Sequence, residues 1–132
     1  MFRRRRLPDD LVDAHAAFDA LIPPLERARS ALTSSVPGTR LPGRPLAETL
    51  LIFEQELAAV RAGMAAWRTP AVEDAWVACD AGLREALALA ERVRLEAPEP
   101  AGFEGLIGTI GDLLAPLDAF HAAADRFRDL RR

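Results

Sequence analysis

The chain offers few side chains that could act as acids, bases or nucleophiles in catalysis. It contains two histidines, His15 and His121, and one cysteine, Cys79, while lysine and tyrosine are absent from the sequence. Enzymes take their general acids, bases and nucleophiles largely from these residue types. Because no nucleophile can be paired with a base, we expect no catalytic residues and a protein that is not an enzyme.

The two histidines are the candidates for a metal site. Asp118 precedes His121 by three residues, so the two side chains would share one face of a helix. A di-iron bundle needs Glu-x-x-His on two helices and a carboxylate on each of the other two, and no carboxylate lies three residues before His15. We therefore expect neither a metal nor a cofactor. A small-molecule or metal site near His15, His121 and Trp76 is the alternative hypothesis.

The single cysteine lies in an apolar pattern with no histidine or arginine in its neighbouring turns, which predicts a buried, unreactive thiol at Cys79. One cysteine cannot form an intramolecular disulfide, and this usage is typical of a reducing compartment. Trp67 and Trp76 flank the turn at Thr69 and Pro70. Their apolar positions predict two core anchors, with a pair that stacks on a ligand as the alternative.

All 17 basic residues are arginines, and many stand near the chain termini. In an up-and-down bundle the chain start, the turn at Arg68 and the chain end meet at one end, which we call the arginine end. Residues 1–10, 66–76 and 124–132 hold nine arginines and six acids, a charge of +3 that leaves −6 on the rest of a chain whose net charge is −3. The candidate partner-binding residues at this end are Arg3, Arg4, Arg5, Arg6, Arg126, Arg128, Arg131 and Arg132.

A basic end of this kind can bind an acidic protein surface, or a polyanion such as nucleic acid or an anionic lipid surface. The alternative is that the arginines face solvent and complement the helix dipole in the last turn. The chain is acidic overall and shows no helix-turn-helix pattern or zinc-ligand spacing. These features disfavour sequence-specific recognition of DNA.

A glycine stands at every third position of the stretch GFEGLIGTIGDLLAP, from Gly102 to Gly111. At about 100° per residue these glycines sweep round the outer side of a helix. The apolar residues share the opposite, buried face, which is expected to comprise Phe103, Leu106, Ile107, Ile110 and Leu113. The glycine side predicts either a loosely held helix or a surface that another backbone can approach closely, with Gly105 and Gly108 as candidate partner contacts. A phosphate-binding loop is disfavoured, because no strand precedes the stretch and no Lys-Ser/Thr follows it.

Four amphipathic segments carry these residues, and their apolar steps of three and four predict an all-α protein. The expected helices span residues 9–35, 45–68, 70–96 and 101–130. Pro23 and Pro24 predict a kink in the first helix, which we expect to continue as one bent helix, and Pro116 predicts a second kink in the fourth. Thr69 is the expected N-cap of the third helix.

Short connections between the segments favour antiparallel neighbours, so we expect an up-down-up-down four-helix bundle. It forms one domain over residues 1–132, with a basic tail at residues 1–8. The start of the chain lacks the apolar stretch of a secretory signal, and no run reaches the roughly 18 apolar residues that a membrane span requires. The arginine-rich and alanine-rich composition is typical of a GC-rich bacterial genome. We therefore expect a cytoplasmic protein that does not span a membrane.

The favoured interpretation is a non-enzymatic helical bundle that acts through protein–protein contact, either with a second copy as a homodimer or with another protein. Its contact surface is expected to be the glycine side of the fourth helix or the arginine end. Two alternatives stay open. One is a bundle that binds a small molecule or a metal, and the other is an accessory protein that binds polyanions through its arginines.

Overall fold

Helices make up the regular structure of this chain in the computed structural model, which describes residues 6–38, 42–96 and 102–131. No strand occurs in these ranges. The helices are α1 (Asp9–Asp19), α2 (Ile22–Thr33), α3 (Leu46–Ala62), α4 (Glu73–Glu96), α5 (Gly102–Leu114) and α6 (Ala119–Asp129). Helices α1 and α2 form the first arm of a bundle, α3 and α4 the second and third, and α5 with α6 the fourth. The prediction of an all-α four-helix bundle is confirmed. Of the predicted tail at residues 1–8, residues 1–5 lie outside the described ranges.

The first arm is two helices rather than the single bent helix that we expected over residues 9–35. Helix α1 ends at Asp19 and α2 begins at Ile22, with both prolines in the opening turn of α2. Proline is tolerated there because the first turn of a helix has no intrahelical partners for its N–H groups. The Leu21 N–H donates to the Phe18 carbonyl at 2.9 Å, which closes a tight turn between the helices. The kink predicted at Pro23 and Pro24 is therefore a break.

Two 3₁₀ turns, Ala65–Trp67 and Pro70–Val72, connect α3 to α4. The second predicted helix therefore ends at Ala62 rather than at residue 68, and the third begins at Glu73 rather than at residue 70. Thr69 precedes the second turn, as an N-cap residue would. Its hydroxyl forms no capping hydrogen bond, and its Oγ1 is buried without a partner among the described residues. The expected side-chain cap at Thr69 is therefore wrong, because a 3₁₀ turn stands where the first turn of the α-helix was predicted.

The fourth arm breaks at the second predicted site. A 3₁₀ turn, Ala115–Asp118, contains Pro116 and separates α5 from α6. Gly82 of α4 packs directly beneath this turn. A Cβ at Gly82 would lie 3.1 Å from the Pro116 carbonyl carbon and nearer still to the carbonyl oxygen. The absence of a side chain at Gly82 is what allows the backbone of the fourth arm to approach α4 so closely.

Contacts between the arms pair residues in opposite directions along neighbouring helices. Ser35 Oγ lies 2.6 Å from Thr49 Oγ1, and Arg27 Nε lies 3.0 Å from Glu56 Oε2, so numbers fall along the first arm as they rise along α3. The same reversal relates α3 to α4 and α4 to the fourth arm, through Glu54–Arg94, Met64–Trp76, Gly82–Pro116 and Ala71–Arg126.

An aromatic cluster occupies the core where α1, α6 and the first 3₁₀ turn meet. The Phe18 ring centroid lies 5.0 Å from that of Trp67 and 5.2 Å from that of Phe127. Trp67 is fully buried, and its Nε1 donates to the sulfur of Met64 at 3.3 Å. The prediction of Trp67 as a core anchor is confirmed. Burying an aromatic side chain of this size removes roughly 150–250 Å² of surface from water, so this cluster is a main contribution to stability.

A buried pair of hydroxyls, Ser35 and Thr49, joins the end of the first arm to α3, and it provides a test of this packing. Thr49→Val leaves the Ser35 hydroxyl buried without its partner, so we expect the free energy of unfolding to fall by about 1–3 kcal/mol. Urea denaturation followed by circular dichroism measures this change. The double variant Ser35→Ala/Thr49→Val should lose less than the sum of the two single losses, because no unpaired hydroxyl remains.

The matched control is Thr33→Val, since the Thr33 side chain is exposed and bonds only to the Ser30 carbonyl of its own turn. Its free energy of unfolding should change by less than about 0.5 kcal/mol. Equal losses in Thr33→Val and Thr49→Val would contradict the assigned role of the buried pair.

Candidate protein-interaction surface

Helix α5 buries only a narrow stripe of its apolar surface. Ile110 and Leu113 are its buried residues, while Phe103 and Ile107 are 59% and 43% exposed. The expectation that Phe103 and Ile107 lie on the buried face is therefore wrong. At about 100° per residue they are rotated roughly 50° and 90° from the middle of the buried stripe. The apolar surface of α5 is wider than the surface that its neighbours cover.

Gly111 lies one turn beyond Ile107 on the same side of α5, whereas Gly108 lies about 100° round the helix from Ile107. Apart from its chain neighbours and the backbone of its own helix, no heavy atom lies within 4 Å of a Cβ placed at Gly108 or Gly111, and both residues are exposed. The expectation that they point outwards is confirmed, while Gly105 is half-buried. Gly102 differs from the others, because its φ of +74° begins the helix from the left-handed region that favours glycine. We call the surface formed by Phe103, Ile107 and Gly111 the α5 face.

Besides Phe103 and Ile107, two exposed leucines lie at the end of the bundle where α5 starts. Leu51 is in the first half of α3 and Leu95 is near the end of α4, two segments joined by the Glu54–Arg94 ion pair at 2.8 Å. Each leucine falls outside the apolar repeat of its own helix. An apolar residue outside this repeat points away from the core, so the sequence could have identified both leucines as exposed.

A concavity of about 340 Å³ opens beside the α5 face. Phe103 and Leu106 form one wall, and the opposite wall comes from the connector and the start of α3, with Pro37, Gly43 and Leu46. The apolar surface of α5 therefore continues into a groove at this end of the bundle.

At the arginine end the structure brings some of the predicted residues together. Arg6 and Arg131 line a concavity of about 330 Å³ with Leu7, Val12 and His15. The Arg126 guanidinium donates to the Ala71 carbonyl at 3.3 Å, which places the end of α6 beside the turn before α4. Arg128 pairs with Asp125 one turn away. The remaining candidates, Arg3, Arg4, Arg5 and Arg132, lie outside the described residues.

Arg68, the other arginine at this end, is held by its neighbours. Its Nη2 donates to Glu73 Oε1 at 2.6 Å, and its guanidinium carbon lies 4.0 Å above the Trp76 ring. The hydrogen bond from Arg68 lowers the pKa of Glu73, and the same bond raises the pKa of Arg68. Trp76 is half-buried, and its Nε1 donates to the Met64 carbonyl at 2.8 Å, so its role is to clamp the turn between α3 and α4.

The structure places the three residues of the hypothesised site, His15, His121 and Trp76, in different surroundings. The His15 ring centroid lies 5.2 Å from that of Phe127, and His15 Nε2 lies 3.6 Å from Asp19 Oδ2. His121 is exposed and lines a separate cleft between α2 and α6. That cleft measures about 60 Å³.

The described residues hold no group of three or more histidine, cysteine, aspartate or glutamate side chains placed to bind a metal ion. Cys79 is buried in the core, and burial raises the pKa of its thiol to about 12. The prediction of a buried thiol is confirmed. A thiol with such a pKa is almost wholly protonated near neutral pH, and only the thiolate is an effective nucleophile.

None of the helices in the described ranges has the combination of length and hydropathy needed to cross a membrane. The chain matches no protein-family model, no curated protein and no solved structure. The α5 face and the arginine end are thus the features from which a function has to be argued.

Proposed function

We propose that this protein is a non-enzymatic interaction module that binds another protein chain through the α5 face. One observation carries this proposal: Phe103 and Ile107 are exposed on α5, a strongly apolar helix in which the buried residues are Ile110 and Leu113. Large apolar side chains exposed side by side mark contact surfaces more reliably than single ones do. The interpretation from the sequence, that this protein acts through protein–protein contact, is kept. The proposed contact now centres on Phe103 and Ile107 rather than on the glycines of α5.

The α5 face offers an energetic reason for binding. Full burial of a phenylalanine or isoleucine side chain is worth about 1.5–3 kcal/mol. Because Phe103 and Ile107 are about half exposed, a partner that covers them gains roughly half of that energy from each. Gly111, one turn beyond Ile107 on the same side of the helix, leaves open space where a side chain would otherwise stand. A partner backbone can therefore approach α5 closely enough to cover Phe103 and Ile107 together.

A cytoplasmic location is proposed with this function. The support is the single cysteine, which is buried in the core and so takes no part in a disulfide between chains. Proteins that work in oxidising compartments more often use paired cysteines as covalent staples.

Site-specific photocrosslinking tests the proposed surface. The photoreactive residue p-benzoylphenylalanine replaces Phe103 in the full chain, and irradiation is carried out in cells that express it. We expect a covalent adduct between position 103 and a second protein chain, identified by mass spectrometry. Adding Ile107→Asp to the same chain should reduce the adduct, because it places a charge within the α5 face.

The matched control carries the photoreactive residue at Val77, which is 51% exposed on α4 and lies outside both the α5 face and the arginine end concavity. Adducts should be much weaker at position 77 than at position 103. Equal yields at the two positions, or no adduct at position 103, would overturn the proposed function.

A further inference from the structure

We propose that the occupant of the α5 face is the arginine end of a second copy of this chain, so that copies associate head to tail. This inference rests on the proposed function and names the partner. Its central contact places Phe103 of one copy in the concavity lined by Arg6, Val12 and Arg131 of the next.

The concavity suits an exposed aromatic residue flanked by acids. Leu7 and the half-exposed Val12 line it and provide apolar surface for a phenyl ring. Arg6, Arg131 and one acid, Asp9, line it as well, and guanidinium groups pack favourably over aromatic faces. Its volume of about 330 Å³ leaves room for one phenylalanine side chain.

The charges of the two surfaces are complementary. From Leu95 to Asp125 the sequence contains no lysine or arginine, and its acids are Glu96, Glu99, Glu104, Asp112, Asp118 and Asp125. Glu104 is exposed and follows Phe103 in the sequence, so it would approach Arg6 and Arg131 of the next copy once the ring is docked. Asp9 lines the same concavity, where the arginines outnumber the acids by two to one. Opposite charges at an interface favour encounter in this orientation and disfavour others.

The same charges argue against a symmetric pairing of two α5 helices. Gly108 lies midway between Glu104 and Asp112 in the sequence. Two copies of α5 crossing in antiparallel directions at Gly108 would set Glu104 of each copy against Asp112 of the other. Like charges placed opposite each other destabilise an interface, so a heterologous contact is favoured over an isologous one.

The two surfaces lie at opposite ends of the molecule. The Arg126–Ala71 contact holds the arginine end beside the start of α4, whereas α5 begins after α4 has ended. Helix α4 has 24 residues, and at a rise of about 1.5 Å per residue it separates the ends by roughly 36 Å. Contacts between opposite ends leave one free surface of each kind, so assembly continues into chains or closes into a ring.

Complementation between two variants tests this arrangement. The face variant Phe103→Asp/Ile107→Asp loses the α5 face and keeps the arginine end. The end variant Arg6→Glu/Arg131→Glu loses the arginine end and keeps the α5 face. Sedimentation velocity should show concentration-dependent association of the unchanged protein, weakened by added salt. Each variant alone should associate about tenfold or more weakly.

An equimolar mixture of the two variants decides the matter. It still contains one intact surface of each kind, so we expect a dimer that grows no further. The control Val77→Asp should associate like the unchanged protein. Circular dichroism of each variant verifies that it is folded, and Phe103→Ser with Arg131→Gln forms a milder pair if either charged variant unfolds.

A monomeric mixture would overturn the head-to-tail inference, as would a face variant that associates as strongly as the unchanged protein. An unchanged protein that stays monomeric at high concentration would overturn it as well. If photocrosslinking at position 103 then captures a different protein, the proposed function stands and only the second-copy inference fails. If position 103 also fails to crosslink above the Val77 control, both fail.

Discussion

Between about pH 8 and about pH 11 this protein is expected to lose about 2–3 kcal/mol of its free energy of unfolding, and Cys79→Ala should remove most of that loss. The reason is the buried thiol, whose pKa is raised by desolvation from an ordinary value of 9.0 to about 12 in the folded chain. A group whose folded pKa is raised contributes stability that is fully present below its unfolded pKa. That stability disappears as the pH rises through the interval between the two values.

The interval is unusually free of other titrating side chains. The chain has no lysine and no tyrosine, and arginine stays charged throughout it. The α-amino group titrates at about 7.7–8.0, below the interval. Unfolding above pH 9 releases a proton from Cys79 alone among the side chains, so stability should fall by about 1.4 kcal/mol for each pH unit.

Urea denaturation at several alkaline pH values, with a reductant present, measures the slope. Cys79→Ala is expected to be less stable than the unchanged protein near neutral pH, because it leaves a small cavity, yet to show a nearly flat dependence above pH 9. Parallel curves for the two proteins would show that the thiol is not the source of the alkaline loss.

The helices of this chain could be predicted because their apolar residues repeat without interruption. From Leu46 in α3 to Trp67 in the following 3₁₀ turn, the steps alternate between four and three residues, and the residues at these positions are buried in the structure. Prolines located the breaks correctly. Whether a proline bends a helix or divides it depends on the turn that the flanking residues form, and here Leu21 closes a turn onto Phe18.

The contact surface could be predicted only in part. A helical wheel identifies the apolar side of α5, but how much of that side is covered depends on the positions of the other arms. Ile110 and Leu113 are covered whereas Phe103 and Ile107 are not, although all four belong to the same predicted face. The histidines show the same limit, because His15 lines the concavity at the arginine end whereas His121 lines the cleft between α2 and α6.

The sequence alone does not show which glycines lie against another backbone, and Gly82 is one that does. Gly82→Ala in α4 should lower the free energy of unfolding by about 1–3 kcal/mol. Its new methyl group would overlap the Pro116 carbonyl, which belongs to a backbone turn between two helices and cannot rotate away as a side chain can. Alanine's better helix propensity offsets about 1 kcal/mol of the steric cost. Thermal and urea denaturation measure the net change.

Gly108→Ala is the matched control, since it makes the same substitution inside a helix where the added Cβ meets open space. It should raise the free energy of unfolding by about 0.5–1 kcal/mol, because alanine loses less backbone entropy than glycine on forming a helix. The two substitutions are therefore expected to have opposite signs. If Gly82→Ala also raised the free energy of unfolding, the Pro116 turn would be able to move away from α4 at little energetic cost. The close approach of the fourth arm to α4 would then contribute little to the stability of the fold. A loss at Gly82 alone would establish that α4 requires its glycine for packing, whereas the exposed Gly108 of α5 leaves open space without contributing to stability.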